Sequence, residues 1–491
     1  MTHPFGCNTR NMKKSVFLTT FGCQMNKADS ELSLGLLLER GYQLAGDESS
    51  ADVVLFNTCS VRQRAEDRVY SRLSQLKASK TRRPGLVIGV LGCVAQKEGE
   101  EIFRRYPHVD MVCGTRMFDK LPELLDRLGS NGGHLLAISD EKVVSYPRRR
   151  PPRENPYQAY ITVMRGCDNY CSYCIVPHVR GPEISRTVEE IVREAESLAR
   201  EGCKEITLLG QNINTYGKTF FLASPPLVGG GRGRGTHPHP SLPHQGGGNI
   251  VGVPEECTNL ASLLRAVSRV EGLERIRFVT SHPKDMTKEV LEAMAELPRV
   301  CKHLHMPAQS GADHILEKME RGHTAQHYLE LIRLARRLVP DIAIVSDFIV
   351  GFPGETEEDF EDTVRLMESA RFQNSYVFKY SPRPGTKASE LPDSVPLELK
   401  KERNQRLLDA QSRISLEENT KRVGQIVEVL VEGPSKSNKK RLTGRTPQNQ
   451  IVVFDKPYAG GRGTLQRAPT GELVQIRIEK ATPLTLFGRL S

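Results

Sequence analysis

The sequence predicts an α/β protein in three parts: an N-terminal parallel-sheet domain, a central incomplete (β/α)6 barrel and a small C-terminal antiparallel β-barrel. Strand-like apolar runs alternate with helix patterns up to about residue 383, which is typical of parallel sheets. A charged helix pattern and then short alternating strands with Gly and Lys turns follow, which favours a small barrel. The 491 residues are too many for one core and fit about three domains.

The first segment, residues 13–137, contains three apolar runs that each end in a cysteine. The runs lie at 16–23, 53–59 and 86–93, with helix patterns at 31–40, 63–80 and 98–106. Parallel strands bring their carboxyl ends to one edge, where open α/β sheets bind ligands. We therefore expect Cys23, Cys59 and Cys93, the N-terminal triad, to lie close together. Three separate core cysteines are the alternative.

The second segment, residues 153–396, contains six strand-like runs alternating with helix patterns. The runs lie at 160–164, 205–209, 275–280, 303–306, 342–350 and 375–380. Six β/α units predict an incomplete barrel with its chemistry at the C-terminal strand ends. Turn residues at that rim are the cofactor-binding candidates: Gly210, Gln211, Ser281 and Gly351. The Gly- and Pro-rich stretch 222–248 favours a disordered insertion over a phosphate loop or an RNA-binding tail.

Three cysteines follow the first barrel strand with C-x3-C-x2-C spacing: Cys167, Cys171 and Cys174, the barrel triad. A 4Fe-4S cubane is normally held by four thiolates, so three leave one iron open. An open iron can bind a small molecule, and S-adenosylmethionine (SAM) is a known cofactor for radical chemistry. The pattern predicts such a cluster here, and the N-terminal triad suggests a second. A tetrahedral zinc site that includes His178 is the alternative.

The third segment follows a linking helix at 397–418 and covers 419–488. Its strand patterns lie at 423–431, 442–445, 451–454, 473–478 and 484–488. Residues 419–491 contain 13 Lys and Arg against five Asp and Glu, most of the net charge of +10. A concentrated basic module is typical of nucleic-acid binders. The RNA-binding candidates are Lys436, Lys439, Lys440, Arg441 and Arg445, and a merely solvated face is the alternative.

Composition argues against a membrane-spanning protein and against a small secreted domain. No apolar stretch is long enough to span a bilayer, and residues 1–15 lack the apolar core of a signal peptide. Eleven cysteines without the pattern of a small secreted domain favour a reducing compartment, where thiols can hold metal. We expect a cytoplasmic monomer without a membrane partner, whose start is Met1 or Met12.

The segments around both triads resemble the radical-SAM methylthiotransferase family over nearly the full chain. The matching stretches are TFGCQMN at 20–26, NTCSVR at 57–62, GCVAQ at 92–96, RGC at 165–167 through RG at 180–181, TSHP at 280–283, QSG at 309–311 and YSPRPGT at 380–386. The third segment is similar to a TRAM domain, an RNA-binding barrel. The residues before Met12 and the stretch 222–248 depart from the family pattern without touching a motif.

The resemblance implies two 4Fe-4S clusters and SAM as cofactors. The barrel triad would hold the SAM-binding cluster, with Tyr173 near the adenine of SAM, and the N-terminal triad would hold an auxiliary cluster that delivers methylated sulfur. One SAM would give its methyl group. A second would be cleaved to a 5′-deoxyadenosyl radical that removes hydrogen from carbon-2 of an adenine. The implied partners are tRNA, an electron donor and a supplier of sulfur or iron-sulfur clusters.

The implied substrate is tRNA with N(6)-isopentenyladenosine next to the anticodon, because CSVR at 59–62 resembles that branch of the family. Sister enzymes that act on threonylcarbamoyl-adenosine in tRNA or on a ribosomal-protein aspartate are the nearest alternatives. A non-catalytic, zinc-stabilised RNA-binding protein is another, although it leaves the N-terminal triad without a role. No Ser/His/Asp-type array stands out, and radical chemistry on an aromatic C–H requires none.

Overall fold

The structure, a computed structural model, describes residues 14–60, 63–131, 133–139, 151, 153, 155–220, 259–455 and 470–491. The predicted insertion at 222–248 and the residues around Met12 lie outside these ranges. Within them, the chain forms the three expected parts. None of the helices in these ranges combines the length and the apolar character that a membrane crossing needs.

The N-terminal part is a six-stranded parallel sheet with helices packed on it. Its strands are β1 (Ser15–Phe21), β2 (Gln43–Leu44), β3 (Val53–Thr58), β4 (Val87–Gly92), β5 (Met111–Cys113) and β6 (Leu135–Ala137), in the order β2-β1-β3-β4-β5-β6. Its helices are α1 (Gln24–Glu39), α2 (Gln63–Arg82), α3 (Cys93–Glu98), α4 (Glu101–Arg105) and α5 (Leu121–Asn131). Strands β3 and β4 are buried along nearly their whole length, because helices cover both faces of the sheet.

The central part is an incomplete barrel of six parallel strands. Its strands and the short pair β8–β9 are β7 (Gln158–Thr162), β8 (Met164–Arg165), β9 (Ile184–Ser185), β10 (Glu205–Leu209), β11 (Arg275–Val279), β12 (His303–His305), β13 (Ala343–Val350) and β14 (Asn374–Lys379). Two parallel sheets, β7-β10-β11 and β12-β13-β14, are connected by an isolated parallel bridge between Ile276 and Val300. The predicted incomplete barrel is confirmed.

Helices cover the outside of this barrel and lead into the third part. They are α6 (Val176–Arg180), α7 (Val188–Arg200), α8 (Leu260–Val267), α9 (Lys288–Glu296), α10 (Asp313–Lys318), α11 (Ala325–Leu338), α12 (Glu357–Ala370) and the linking helix α13 (Leu397–Thr420). Several have a side-chain N-cap; Thr356, for example, forms a capping box with Asp359 at the start of α12. The inner faces of these helices enclose the largest apolar core of the described chain, around Ile206, Tyr328 and Phe348.

The C-terminal part is a closed five-stranded barrel, as predicted. Its strands are β15 (Ile426–Pro434), β16 (Arg441–Arg445), β17 (Ile451–Asp455), β18 (Leu473–Ala481) and β19 (Thr485–Leu490), in the order β15-β16-β17-β19-β18. Four of the five pairings are antiparallel and β17–β19 is parallel. One parallel pairing is unavoidable in such a closed barrel, because a ring with an odd number of strands cannot alternate direction at every step.

Buried arginines hold the C-terminal barrel against the central one. Arg275 on β11 donates to the Arg445 carbonyl oxygen at 2.6 Å and to Glu428 Oε1 at 2.8 Å. Arg277, two residues further on and on the same face of the strand, donates to the carbonyl oxygens of Pro447 and Thr446 at 2.9 and 2.8 Å. These bonds hold the end of β16 and the loop after it against β11 of the central barrel.

Candidate active site

The three strands that precede the N-terminal triad end side by side. Phe21 of β1 pairs with Thr58 of β3, which pairs in turn with Gly92 of β4. The cysteines follow these ends by one or two residues, and the backbone N–H of Cys59 donates to the Phe21 carbonyl oxygen at 2.9 Å. All three thiols therefore emerge at the same carboxyl edge of the sheet, where the sequence pattern places them.

Local electrostatics distinguishes the thiols of this triad. Cys23 shares a hydrogen bond with Cys59, which lowers the pKa of Cys23 to about 6 although burial opposes the change. Cys23 also occupies the N-cap position of α1, and Cys93 is the first residue of α3. Helix N-termini favour negative charge on a thiol. Burial raises the pKa of Cys93, so this thiol keeps its proton until a metal displaces it.

Two asparagines hold the loops of Cys23 and Cys59 together. Asn57 donates to the Asn26 carbonyl oxygen at 2.9 Å, and the Asn26 side chain donates back to Asn57 Oδ1 at 3.1 Å. The Cys23 thiol donates to Asn26 Oδ1 at 3.2 Å. The sequence pattern did not single out these asparagines, although both lie inside the matched stretches at 20–26 and 57–62. Their network fixes the two thiols before any metal binds.

Glycine at position 92 is required by both space and backbone geometry. Its φ is +91°, and a Cβ there would lie 2.3 Å from Asn57 Oδ1 and 3.0 Å from the Thr58 carbonyl oxygen. We expect Gly92→Ala to lower the free energy of unfolding by about 2–4 kcal/mol, through backbone strain and overpacking. Urea denaturation followed by circular dichroism measures this. Gly85→Ala is the control, because no atom lies within 4 Å of its added Cβ; equal losses for both variants would contradict the assignment.

The barrel triad lies in a loop between β8 and α6 that backbone hydrogen bonds hold in place. The Cys167 N–H donates to the Gly181 carbonyl oxygen at 3.1 Å, and the Cys174 N–H donates to that of Cys171 at 2.9 Å. Burial raises the pKa of Cys167 and of Cys174 to about 12. Both thiols are therefore protonated at neutral pH in the metal-free chain, and metal binding must release those protons.

Two side chains distant in sequence face Cys171. Arg321 Nη1 lies 3.6 Å from Cys171 Sγ, and His282 Nε2 lies 4.0 Å from it. Burial and the neighbouring Arg321 lower the pKa of His282 to about 2, so the imidazole stays neutral. Arg321 follows α10 and was not found by sequence reasoning, because no local pattern marks it. A buried cation beside a thiolate is a favourable partner for an anionic cluster.

The zinc alternative requires several ligand side chains that converge on one point. In the part of the chain that the structure describes, no three His, Cys, Asp or Glu side chains come close enough to bind one metal ion together. His178 instead packs edge-on against the ring of Tyr170, with centroids 6.4 Å apart. The thiolates of a cubane each bind a different iron and need not meet at one point. The kind of metal centre that each triad holds therefore stays a prediction.

The rim of the central barrel contains buried polar atoms that lack a hydrogen-bond partner among the described residues. They are Gln211 Oε1, Asn212 Oδ1, Ser281 Oγ and Gln309 Oε1. Each follows a barrel strand, at β10, β11 or β12. Buried polar groups are nearly always hydrogen-bonded in folded proteins, so this set fits a polar ligand such as SAM. Gln211 and Ser281 were candidates from the sequence, and Gln309 lies in the matched stretch at 309–311.

The remaining cofactor candidates have different surroundings. Gly210 packs against Met164 and Ile213 and lines the cavity described below. Half-buried Tyr173 packs against the cluster that contains Phe352 and Tyr380. At Gly351, a Cβ would lie 2.3 Å from Lys400 Cγ of α13, so close packing already explains glycine there. The cofactor-binding roles of all these residues remain predictions.

One cavity of about 510 Å³ lies where the three parts of the chain meet. Its wall includes Cys23 and Cys59 of the N-terminal triad and, on the barrel side, Gln211, His305 and Asp347; the C-terminal barrel adds residues such as Arg445 and Asn449. A volume of this size suits a nucleoside-sized ligand. The sequence did not predict that the C-terminal barrel would contribute to this wall.

The five RNA-binding candidates divide into two groups. Lys436, Lys439 and Lys440 are exposed in the turn between β15 and β16. Arg441 pairs with Asp455 at 2.7 Å, and Arg445 pairs with Glu432 at 3.0 Å. The three lysines are therefore the better candidates for contacts to phosphate, whereas Arg445 faces the cavity.

Comparison with known proteins agrees with this architecture. Family models match in three places: the Radical SAM superfamily at 161–367, the Uncharacterized protein family UPF0004 at 15–114 and the TRAM domain at 420–491. A tRNA-2-methylthio-N(6)-dimethylallyladenosine synthase of Rhodopirellula baltica is 43% identical over 98% of this chain and 96% of that protein. The chain belongs to this family of synthases. A relative with the same name from Moorella thermoacetica is 40% identical over 97% of this chain and 98% of that protein. Another from Clostridium novyi is 41% identical over 98% of both chains.

Solved structures support the fold. A radical S-adenosylmethionine methyltransferase, TsrM, from Kitasatospora setae aligns with a TM-score of 0.51 over 77% of both chains at 14% identity. The cobalamin-dependent S-adenosylmethionine radical enzyme OxsB aligns with a TM-score of 0.50 over 77% of this chain and 55% of that one, also at 14% identity. At such low identity the likeness concerns the fold alone.

Proposed function

We propose that this synthase-family protein adds a methylthio group to carbon-2 of N(6)-isopentenyladenosine next to the anticodon of tRNA. The cavity carries the proposal, because residues of the N-terminal triad, the barrel rim and the basic C-terminal barrel all line it. A sulfur source, a radical source and an RNA-binding module would then face one space. The name of the relatives from Rhodopirellula baltica and Moorella thermoacetica supports the same substrate.

Membership of the radical-SAM superfamily implies a 4Fe-4S cluster and SAM. We assign that cluster to the barrel triad and a second one to the N-terminal triad, since both donor sets are thiols at buried, positively charged sites. When bound, these groups would supply the 5′-deoxyadenosyl radical and the transferred sulfur. An external electron donor and a supplier of sulfur or iron-sulfur clusters are then required partners. We also propose that the protein is a monomer in the cytoplasm.

The chain itself would position the base and exclude water from it. His305 Nε2 and Asp347 Oδ1 lie 3.1 Å apart in the cavity wall, on neighbouring strands of the barrel. Such a pair can hydrogen-bond the polar edge of a bound adenine. An aromatic C–H is a poor target for acid–base chemistry, so the contribution of these side chains is alignment of the base with the radical and the sulfur.

The function is tested by nucleoside mass spectrometry of tRNA from a strain that lacks the gene. We expect N(6)-isopentenyladenosine to accumulate without its methylthio derivative, and the plasmid-borne gene to restore the derivative. An unchanged level would exclude the proposal. Loss of the methylthio form of threonylcarbamoyl-adenosine, or of a modified ribosomal-protein aspartate, would instead assign the chain to a sister activity.

Neutralising the exposed lysines of the β15–β16 turn should weaken tRNA binding. We expect the Lys436→Gln, Lys439→Gln, Lys440→Gln triple variant to reduce the slope of log K against log salt by about 0.7–0.9 for each lost phosphate contact. Filter binding from low to high salt measures the slope. The control variant changes three exposed cations outside this turn to Gln: Lys288 of α9, and Lys401 and Arg413 of the linking helix α13. Equal slopes for wild type and the lysine variant would show that tRNA docks elsewhere.

A further inference from the structure

A buried charge cluster connects the two triads. Asp29 of α1 is fully buried, and its two carboxylate oxygens lie 3.0 Å from Arg165 Nη2 and 2.8 Å from Arg180 Nη2. Arg165 precedes the barrel triad in the sequence and Arg180 follows it. One carboxylate of the N-terminal part thus holds both ends of the barrel-triad loop.

The charges in this cluster do not balance. Two guanidinium groups remain protonated in proteins, and Asp29 supplies one negative charge between them. A net positive charge in a buried site is costly unless an anion or a hydrogen-bond acceptor compensates it. Arg180 is 6% exposed, and its Nη1 has no hydrogen-bond partner among the described residues.

The guanidinium of Arg180 lies near the thiols of the N-terminal triad. Cys93 and Cys23 are, with Asp29, the groups that act most strongly on its guanidinium. Cys93 also packs against Ile175 and Val179 of the segment that carries Arg180. The nearby Thr115 hydroxyl donates to the Val179 carbonyl oxygen at 2.5 Å, which anchors the end of α6 on the N-terminal sheet. Arg180 therefore follows the barrel triad in sequence but adjoins the N-terminal triad in space.

We propose that Arg180 is a positioning residue for the anionic cluster of the N-terminal triad. Its unpaired Nη1 donates toward a thiolate or an inorganic sulfide of that cluster, which supplies the negative charge that the buried site lacks. Asp29 orients the guanidinium, and Arg165 ties Asp29 to the opposite end of the loop. The inference rests on the proposed function only in that the N-terminal triad holds a cluster.

The experiment isolates the N-terminal site. In a full-length background with Cys167, Cys171 and Cys174 changed to Ala, the protein is reconstituted anaerobically and iron loss to a chelator is followed by absorbance. The EPR spectrum of the reduced cluster is also recorded. We expect Arg180→Gln to lose iron about 10- to 100-fold faster and to have an altered spectrum, and Arg180→Lys to recover part of the retention.

Arg165→Gln is the matched control, because it removes a partner of the same carboxylate without touching the N-terminal triad. We expect it to retain iron nearly as well as the background protein. Equal iron loss in Arg165→Gln and Arg180→Gln, or full retention and an unchanged spectrum in folded Arg180→Gln, would overturn the inference. If Arg180→Gln does not fold, the Arg180→Lys variant decides. Iron retention equal to that of the background protein in Arg180→Lys would contradict the inference, since a lysine cannot reproduce the planar, forked set of donors of a guanidinium. Failure of the background protein itself to bind a cluster would instead refute the proposed cofactor content.

Discussion

Changing Cys171 to Ala is expected to reduce the formation of 5′-deoxyadenosine from SAM to background. The barrel triad offers three thiolates in one loop, and removing one leaves too few ligands to hold the cluster. Cys171 also faces Arg321 and His282, so the change would leave a buried cation without its anionic neighbour. Anaerobic assays with dithionite as reductant and chromatographic detection of 5′-deoxyadenosine measure the effect.

Two further variants make this prediction specific. Cys203→Ala should retain SAM cleavage, because Cys203 is also buried but belongs to neither triad, and its thiol donates to the backbone carbonyl oxygens of Tyr157 and Glu205. Cys59→Ala should spare part of the cleavage while ending methylthio transfer to tRNA, since Cys59 lies at the other triad. Methylthiolated tRNA from either triad variant would refute the role assigned to that cysteine.

Much of the fold could be predicted from the spacing of apolar residues in the sequence. Strand β10 matches the predicted run at 205–209 residue for residue, and helices α7 and α9 match the patterns at 188–200 and 288–296. These segments are flanked by turn residues, and their apolar positions face one core, so local pattern and tertiary packing agree. Strands β2, β5 and β6 escaped prediction because runs of two or three residues have no measurable period.

The candidate site could be predicted only where its residues are close in sequence or follow a strand. The C-x3-C-x2-C spacing predicted the barrel triad, and three strand-like runs that each end in a cysteine predicted the N-terminal triad. Arg321 and Asp29 could not be identified, since each acts on a residue about 150 positions away. Their function depends on how the N-terminal sheet and the central barrel meet, which no local pattern encodes.

The C-terminal barrel presents the same contrast. Its basic charge was evident from composition. Its contribution to the cavity wall, however, depends on Arg275 and Arg277 of β11, and nothing in the sequence distinguishes these two from other strand residues. Arg277 pairs with Glu205 at 3.0 Å, and both side chains are 5% exposed. Its other two nitrogens donate to the carbonyl oxygens of Thr446 and Pro447. The arginine therefore joins two barrels and neutralises a buried carboxylate at once.

Changing Arg277 to Ala should lower the free energy of unfolding by about 3–5 kcal/mol, because the Glu205 carboxylate stays buried without its ion-pair partner. Urea unfolding followed by circular dichroism measures this. Arg489→Ala is the control: Arg489 pairs with Glu479 at 3.0 Å, but their side chains are 68% and 51% exposed. Exposed pairs contribute about 0–1 kcal/mol. Arg277→Ala should also make the linking helix more accessible to trypsin, since the C-terminal barrel keeps only Arg275 of the two arginines of β11 that bind it. Equal stabilities for both variants would mean that Arg277 does not hold the cavity wall in place.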